Sequence, residues 1–402
     1  MSHEVNAAGD LGIWAYRPDV PLRGAPDGQL ADLTFSAKDL FGVAGWPLTG
    51  STRASLPFVE ESPVVRTLID AGATLVGKTH LHEVALGVLG TNAFGGTRNP
   101  LDAERVAGGS SGGAAASVAT REVNFALGTD TGGSVRVPAA FCGVVGFKPT
   151  YGTYSARGVL PLSLTCDHVG TLSNSTEVLA RVHEVLTSEQ ASPMSWSGVR
   201  IGVWNVENWL TPDAANALRA FEARVLALGA TSKPFDFPDV MGTYSPIVLS
   251  EAAEVHREAL TTESPGFLPF TLGLLRAGQA LTAQEVEAAH ERRDRLGRQL
   301  TDVFGAFDVL LAPAVPSVAP RVGEEELTLS TETLPYRAAI LRLTAPWSLL
   351  GVPTISWPLP GPNGLSLGVQ IIAPRKADAL VLGLALTLER LDLERAFPES
   401  RR

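Results

Sequence analysis

Cysteine, clusters of positive charge and long apolar runs are what this sequence lacks. Its only two cysteines, Cys142 and Cys166, are too few for a disulfide framework and form no C-x-x-C pair that would indicate a metal site. The net charge is −10, and lysine and arginine are scattered, so we expect no nucleic-acid partner. No window contains about 18 uninterrupted apolar residues, so we expect no membrane span.

The opening residues also lack a targeting pattern. The stretch MSHEVNAAGDLGIWAYRPDV has no basic start followed by an apolar run, so we predict no secretory signal and a cytoplasmic protein. Hydrophobic residues make up 45% of the chain and charged residues 18%, which is typical of a protein with a large buried core.

Lysine is scarce as well, and each lysine that remains is a candidate for a special role. The 32 basic residues include only Lys38, Lys78, Lys148, Lys233 and Lys376. Arginine keeps its proton at working pH, whereas lysine can lose its proton when burial or neighbouring charge lowers its pKa.

Short apolar runs alternate with helical stretches from Asp32 onward, which predicts an α/β layer architecture. LTFSAK and TLVGKT are predicted strands, and SPVVRTLIDAGA between them is a predicted helix capped by Ser62. Residues 112–121 are a predicted helix of small residues, followed by the strand VNFAL and a glycine-rich turn. The polar segment 188–198 is predicted to join two halves of a single domain spanning residues 1–402.

The second half is predicted to add four strands and three helices. The strands are VRIGVWN, FDVLLAP, PTISWPLP and LSLGVQIIAP. The helices are TPDAANALRAFEARVLALGA, capped by Thr211, then LTAQEVEAAHERRDRLGRQLTDVF and ADALVLGLALTLERL.

The stretch VAGGSSGGAAASVA, residues 106–119, could be a linker or one of several glycine motifs. It opens an alanine-rich helix, which disfavours a flexible linker. No lysine follows it, which excludes a Walker phosphate loop. The dinucleotide fingerprint is excluded because its spacing fails and AERVAG is not predicted to be a strand.

One competing motif lies inside the same stretch. Residues 109–113 match G-x-S-x-G, which would make Ser111 a nucleophile on a strand-to-helix turn. Such a site needs a histidine later in the chain. The candidates by order are His168, His183, His256 and His290, and none lies in a turn-rich stretch with a plausible partner.

A second glycine cluster, residues 128–136, gives the first one a partner. Ser134 ends its tight turn and follows Ser110 by 24 residues. Such a turn can direct several backbone N–H groups at one anion, including the oxyanion formed in acyl transfer.

Together, these segments resemble the amidase-signature family of serine hydrolases. The resemblance rests on GGSSGGAAASVATREVNFALGTDTGGSVRVPAAFCGVVGFKPTYG and on the upstream SAKDLFGVAGWPLTGST, and is weaker at FDVLLAP, GVPTISWPLP and LSLGVQIIAP. It is strongest over residues 30–172 and loose over 195–335. It implies one large α/β/α domain with a central mixed β-sheet covered by helices.

The resemblance also implies a Ser–Ser–Lys triad. Ser134 matches the nucleophile, Ser110 the bridging serine that follows a cis peptide bond, and Lys38 the base. This assignment is chemically sound because a serine hydroxyl is a weak nucleophile without an adjacent base, and lysine acts as a base only when neutral. The Ser110 hydroxyl could relay a proton between Ser134 and Lys38.

Further residues of the signature are expected to support this triad. The oxyanion is expected to be held by the backbone N–H groups of Thr131, Gly132, Gly133 and Ser134. Supporting contacts are expected from Ser111, Thr129, Asp130 and Arg136, the last two as a pair that braces the turn or as separate solvated charges. Lys78 is expected to be structural because Lys38 takes the role of base.

The resemblance implies hydrolysis of a small-molecule carboxamide without a metal or cofactor, but it does not fix the substrate. Family members act on simple amides, indoleacetamide, fatty-acid amides, peptide amides, and glutamine within a tRNA-dependent amidotransferase. The glutaminase chain of that amidotransferase has an aspartate three positions before a T-x-P motif, where this chain has Leu341. A stand-alone amidase is therefore preferred over a glutaminase subunit.

Two further alternatives concern assembly and the substrate pocket. A non-catalytic assembly subunit would be expected to lack one of the triad residues, and this chain has all three. A homodimer is left open. The expected pocket walls, which would favour an apolar acyl group, are Phe94, Leu162 and Trp347.

Overall fold

The computed structural model describes residues 10–396. The predicted absence of a secretory signal concerns residues 1–9 in part, and these lie outside the described residues. The strands are β1 (Trp14–Tyr16), β2 (Thr34–Lys38), β3 (Thr74–Thr79), β4 (Arg98–Asn99), β5 (Asp102–Val106), β6 (Phe125–Asp130), β7 (Val145–Lys148), β8 (His168–Ser173), β9 (Arg200–Trp204), β10 (Thr231–Phe235), β11 (Val309–Pro313), β12 (Glu326–Thr328), β13 (Thr333–Pro335), β14 (Thr354–Pro360) and β15 (Ser366–Ile372). The α-helices are α1 (Pro63–Asp70), α2 (Gly112–Ala119), α3 (Arg136–Cys142), α4 (Thr176–Thr187), α5 (Pro212–Ala227), α6 (Met241–Val255), α7 (Pro269–Gln279), α8 (Ala283–Ala306), α9 (Tyr336–Leu349) and α10 (Asp378–Ala396).

Eleven of the strands form one mixed sheet in the order β1-β3-β2-β6-β8-β7-β14-β15-β11-β9-β10. β2 runs parallel to both β3 and β6, whereas β6 and β8 are antiparallel. The α/β class with a central mixed sheet is therefore as predicted. Strands from both sides of the irregular segment 188–198 belong to this sheet.

Helices cover both faces of the sheet. The side chains of β6 alternate between the two hydrophobic cores on these faces. Ala126 packs with the small residues of α2, whereas Phe125 and Leu127 point into the larger core on the other face. The α2 helix has to consist of small residues because it lies close to the backbone of neighbouring segments. A Cβ on Gly113 would lie 2.6 Å from the carbonyl oxygen of His80, so only glycine fits there.

Two details of the sequence analysis are corrected. Residues 102–106, within which AERVAG begins, form strand β5 of a two-stranded ribbon with β4, outside the main sheet. Ser62 and Thr211 occupy helix N-cap positions, but neither side chain makes the capping bond. The Thr211 hydroxyl donates instead to the carbonyl of Pro316, at 3.1 Å.

The topology places the lysine segment and the second glycine cluster together at one sheet edge. β2 and β6 are parallel neighbours, with Ala37 opposite Leu127, so their C-terminal ends emerge side by side. In α/β sheets this is where ligands bind. Within residues 10–396, none of the helices combines the length and apolar character needed to cross a bilayer.

Candidate active site

Three loop or strand ends bring the predicted triad residues into one region. Lys38 ends β2, Ser110 lies two residues before the start of α2, and Ser134 lies in the turn between β6 and α3. Lys38 Nζ lies 2.6 Å from Ser110 Oγ. The peptide bond between Gly109 and Ser110 is cis. The structure thus joins two segments 72 residues apart through one hydrogen bond.

The Lys38 ammonium position is surrounded by hydroxyl groups and has no carboxylate partner within the described part of the chain. The side chain is fully buried. Its Nζ lies 2.7 Å from Thr129 Oγ1, which completes the contact with Ser110. Burial lowers the pKa of Lys38 to about 7, although the more distant charges of Asp167 and Asp130 raise it. A large neutral fraction of this lysine is therefore present near neutral pH.

Ser134 is held next to Ser110 by the backbone. The N–H of Ser111 donates to the carbonyl of Ser134 at 3.1 Å. Within residues 10–396 there is no hydrogen bond between the Ser110 and Ser134 hydroxyl groups, and Ser134 instead borders a pocket. The resting structure thus shows the Lys38–Ser110 contact but not a closed chain of three groups. Such bonds often tighten only when substrate binds.

The glycine turn before α3 is braced by a buried ion pair. Asp130 accepts from Arg136 Nη2 at 2.8 Å and from the backbone N–H groups of Gly133 at 2.9 Å and Val135 at 3.1 Å. Arg136 in turn donates to Ser348 Oγ at 2.6 Å. Burial opposes ionisation of Asp130, but the Arg136 guanidinium outweighs it and holds the pKa of this carboxyl well below its usual value. Of the two alternatives for Asp130 and Arg136, the structure has the bracing pair.

This brace changes the expected set of oxyanion donors. The N–H of Gly133 is already used by Asp130, so it is not available to an oxyanion. The N–H groups of Thr131, Gly132 and Ser134 make no hydrogen bond within residues 10–396. All three of these residues line the pocket.

Gly133 nevertheless has a steric reason to be glycine. Its φ is +126°, which disfavours residues with a side chain. A Cβ at this position would lie 2.5 Å from Thr344 Oγ1, whose hydroxyl donates to the carbonyl of Gly132. Thr344, on α9, is thus packed directly against the turn.

Ser111 and Thr129 support the site from behind. Ser111 is fully buried, and its hydroxyl donates to the Thr129 carbonyl at 3.2 Å, while the Thr129 hydroxyl contacts Lys38. Within the described residues no histidine makes a hydrogen bond to Ser111. His168, for example, contacts the carbonyl of Cys166 at 2.7 Å. The geometry therefore does not favour Ser111 as a nucleophile.

The pocket beside Ser134 is small, and its cavity volume is about 10 Å³. Its lining residues are Ala85, Leu86, Gly87, Val88, Thr131, Gly132, Ser134, Leu162, Tyr244, Val248, Arg337 and Leu341. Most of these side chains are apolar, and only one carries a charge. Of the three expected walls, Leu162 is in this set.

The other two expected walls lie elsewhere. Trp347 is fully buried, with its ring centroid 5.3 Å from that of Trp204 and 6.0 Å from that of Phe237. These ring contacts make it part of the core and not of the pocket lining. Phe94 is 39% exposed and stacks on His80, with ring centroids 5.3 Å apart.

Three further residues that meet at the site were not predicted from the sequence. Asp167 accepts the Thr131 hydroxyl at 2.5 Å, and burial raises the pKa of its carboxyl to about 6. Tyr244 and Arg337 come from α6 and α9 to line the pocket. Asp167 lies within residues 30–172, where the resemblance is strongest, which could have drawn attention to it. Tyr244 and Arg337 lie where the resemblance is loose or local pattern is uninformative.

Comparison with known proteins agrees with this architecture. A family model described as Amidase matches residues 14–382. The AtzE subunit of 1-carboxybiuret hydrolase from Pseudomonas sp. is 34% identical over 399 residues, covering 93% of this chain and 87% of that protein. The A subunit of glutamyl-tRNA(Gln) amidotransferase from Methanosarcina acetivorans is 33% identical, covering 90% of this chain and 85% of that protein.

Among solved structures, one described as a crystal structure of amidase matches with a TM-score of 0.87 and 39% identity. The match covers 90% of this chain and 85% of that one. The fold and the matched length define an amide-hydrolysing enzyme. The chain belongs to the amidase family.

Proposed function

We propose that this enzyme hydrolyses a small-molecule carboxamide through an acyl intermediate on Ser134, with Ser110 and neutral Lys38 moving the proton. Ser134 Oγ attacks the amide carbon while its proton passes to Ser110, whose own proton passes to Lys38. The C–N bond then breaks, and the proton returns through Ser110 to the leaving ammonia or amine. Water hydrolyses the ester by the same route, which releases a carboxylate.

One observation carries this proposal: a fully buried lysine, its pKa lowered to about 7, lies 2.6 Å from Ser110 Oγ. An ion-paired lysine would stay protonated and could not accept a proton. The hydroxyl groups around Lys38 leave the neutral form accessible and give it a path toward Ser134.

Three backbone N–H groups are the proposed oxyanion donors: those of Thr131, Gly132 and Ser134. They border the pocket with the Ser134 hydroxyl, and the Asp130–Arg136 pair fixes the turn that carries them. A preorganised donor of this kind contributes about 3 to 4 kcal/mol to transition-state stabilisation.

A glutaminase subunit is the second candidate because the relative from Methanosarcina acetivorans belongs to an amidotransferase. Leu341 lines the pocket of this chain. An apolar side chain there offers no acceptor for the amino group of glutamine. We therefore prefer an enzyme that acts alone over a subunit of an amidotransferase or a non-catalytic assembly factor. We propose that it is a single domain that works in the cytoplasm as a monomer or homodimer.

Covalent labelling with a fluorophosphonate tests the nucleophile. We expect one adduct, on Ser134, which is lost in Ser134→Ala and forms much more slowly in Lys38→Met. The matched control is Ser111→Ala, which should still be labelled on Ser134. An adduct on Ser111, or labelling of Lys38→Met at the unmodified rate, would refute the mechanism.

Ammonia release from a panel of amides, measured with the isolated chain, separates the two candidates. Turnover of simple amides supports the stand-alone enzyme. Turnover of glutamine alone, and only after partner subunits are added, would favour the glutaminase subunit.

A further inference from the structure

Arg337 is a pocket residue that the proposed mechanism does not use. It is the second residue of α9 and lines the same pocket as Ser134. The residue is partly buried. Its Nε is fully buried and has no hydrogen-bond partner, and no carboxylate among residues 10–396 lies within ion-pair distance of the guanidinium.

Two other arginines, one in α3 and one in α9, are engaged by carboxylates. Arg136 is paired with Asp130 at 2.8 Å. Arg342, little more than one helical turn beyond Arg337, is paired with Glu332 at 2.6 Å. Burying the Nε of Arg337 without a hydrogen-bond partner costs free energy, because its lost hydration is not replaced. The partner of Arg337 is therefore expected to be a ligand.

The neighbouring residues define what kind of ligand this is. Tyr244 lines the pocket with Arg337, and burial raises the pKa of its phenol, so its hydroxyl remains a hydrogen-bond donor. The other side chains around the pocket include Leu162, Val248 and Leu341, and no aspartate or glutamate is among the lining residues in the described part of the chain. The pocket thus offers donors and a positive charge to an anion, and no charged partner for an ammonium group.

We propose that the substrate is an amide that also carries a carboxylate, with no amino group, and that Arg337 binds this carboxylate while the amide carbonyl lies at Ser134. Guanidinium groups suit this task because their N–H donors match both oxygens of a carboxylate. The inference rests on the proposed amide hydrolysis at Ser134 and adds the class of substrate.

Matched substrates test this proposal on the unmodified enzyme. Succinamate and butyramide carry the same primary amide on chains of equal length and differ in a carboxylate against a methyl group. Malonamate and glutaramate vary the distance between the carboxylate and the amide. We expect kcat/KM for at least one of the three carboxylated amides to exceed that for butyramide by about 10- to 100-fold, the range of a hydrogen bond to a charged group. If butyramide is turned over as fast as all three carboxylated amides, the proposal is overturned.

Asparagine and glutamine add an amino group to succinamate and glutaramate. Because no lining residue offers a carboxylate to that group, we expect both amino acids to react more slowly than their amino-free counterparts. A preference for either amino acid over its counterpart would contradict the proposed substrate class.

Variants then assign the effect to Arg337. In Arg337→Met the ratio of kcat/KM for the best carboxylated amide to that for butyramide should fall by about 10- to 100-fold, mainly through KM, and Arg337→Lys should recover part of it. The matched control is Arg342→Met, on the same helix, whose guanidinium is already engaged; its ratio should stay unchanged. An unchanged ratio in Arg337→Met would overturn the assignment.

A second measurement does not depend on folding of the variants. Succinate, malonate and glutarate should slow fluorophosphonate labelling of Ser134 in the unmodified enzyme, whereas butyramide at the same concentration should protect far less. Equal protection would count against a carboxylate site. If Ser134 is labelled and neutral amides are hydrolysed without preference, only this inference fails. If no amide is hydrolysed and Ser134 is not labelled, the proposed function fails with it.

Discussion

Lys38 and Lys78 are two buried lysines on neighbouring parallel strands, and their surroundings are opposite. Both side chains are fully buried, and the register of β2 and β3 places Ala37 opposite Lys78. Lys78 Nζ lies 2.6 Å from Asp39 Oδ1 and donates to the carbonyl of Pro47 at 2.7 Å. Among residues 10–396, the hydrogen-bond partners of Lys38 Nζ within 3 Å are the hydroxyls of Ser110 and Thr129.

Burial alone is therefore not expected to make a lysine a base. Burial lowers the pKa of both groups; for Lys78 the Asp39 carboxylate opposes this by charge and hydrogen bonding, although the net shift of its pKa is still downward. For Lys38 the opposing charges are more distant, and the pKa falls to about 7. An adjacent carboxylate therefore separates a structural lysine from one that can exchange protons.

Substitution by methionine should reduce catalytic activity at Lys38 and fold stability at Lys78. Lys38→Met removes the proposed base, so we expect kcat for amide hydrolysis to fall by about 10⁴-fold or more, as when members of a catalytic triad are removed. Methionine fills a similar volume without a buried amine, so the thermal midpoint should not fall. Steady-state kinetics and a thermal melt on the same sample measure both. Retention of more than about a tenth of the activity would contradict the role of Lys38.

Lys78→Met should instead destabilise the fold. It leaves the Asp39 carboxylate buried without its counter-charge, so we expect the free energy of unfolding to fall by about 3 to 5 kcal/mol. Chemical denaturation measures this loss. Adding Asp39→Asn should recover part of it, because the uncompensated charge is then removed. Loss of activity in the folded Lys78→Met protein comparable with that of Lys38→Met would erase the distinction between the two lysines.

The sequence predicts the parts of the site that are local in the chain. The strand ending at Lys38, the small-residue helix after Ser110 and the glycine turn before α3 all follow from patterns within a few residues. Use of the Gly133 N–H by Asp130 could not be predicted, since it depends on how the turn folds back on itself.

The pocket was harder to predict because its walls come from distant segments. Arg337 and Trp347 occupy one helix, and the packing of α9 against the turn and α6 decides which of them faces the pocket. A charged residue in YRAAILRLTAPW is typical of a solvated helix face, and a tryptophan there is as compatible with a wall as with the core. Only the tertiary arrangement places Arg337 at the pocket and Trp347 in the core.

The pH profile should report Lys38 and not Lys78. Catalysis needs neutral Lys38, so kcat/KM should rise about tenfold per pH unit below the pKa of about 7 and level off above it. Since protonation removes the base, activity is lost toward acid. An initial-rate profile from about pH 5.5 to about pH 9 measures this limb. A profile that keeps rising to the alkaline end would mean that Lys38 remains protonated, as an ion-paired lysine does.

Asp167→Asn should shift the acid limb of the pH profile by a fraction of a pH unit. This is the smallest effect expected from the comparison of Lys38 with Lys78. Asp167 has a pKa of about 6, so above that pH it is largely ionised, and its charge raises the pKa of Lys38. Removing the charge lowers the pKa of Lys38, and the acid limb shifts to lower pH. The control is Asp39→Asn, which removes the partner of Lys78 and should leave the limb in place while lowering the thermal midpoint. A limb that shifts in Asp39→Asn and stays in Asp167→Asn would reverse the roles assigned to the two lysines.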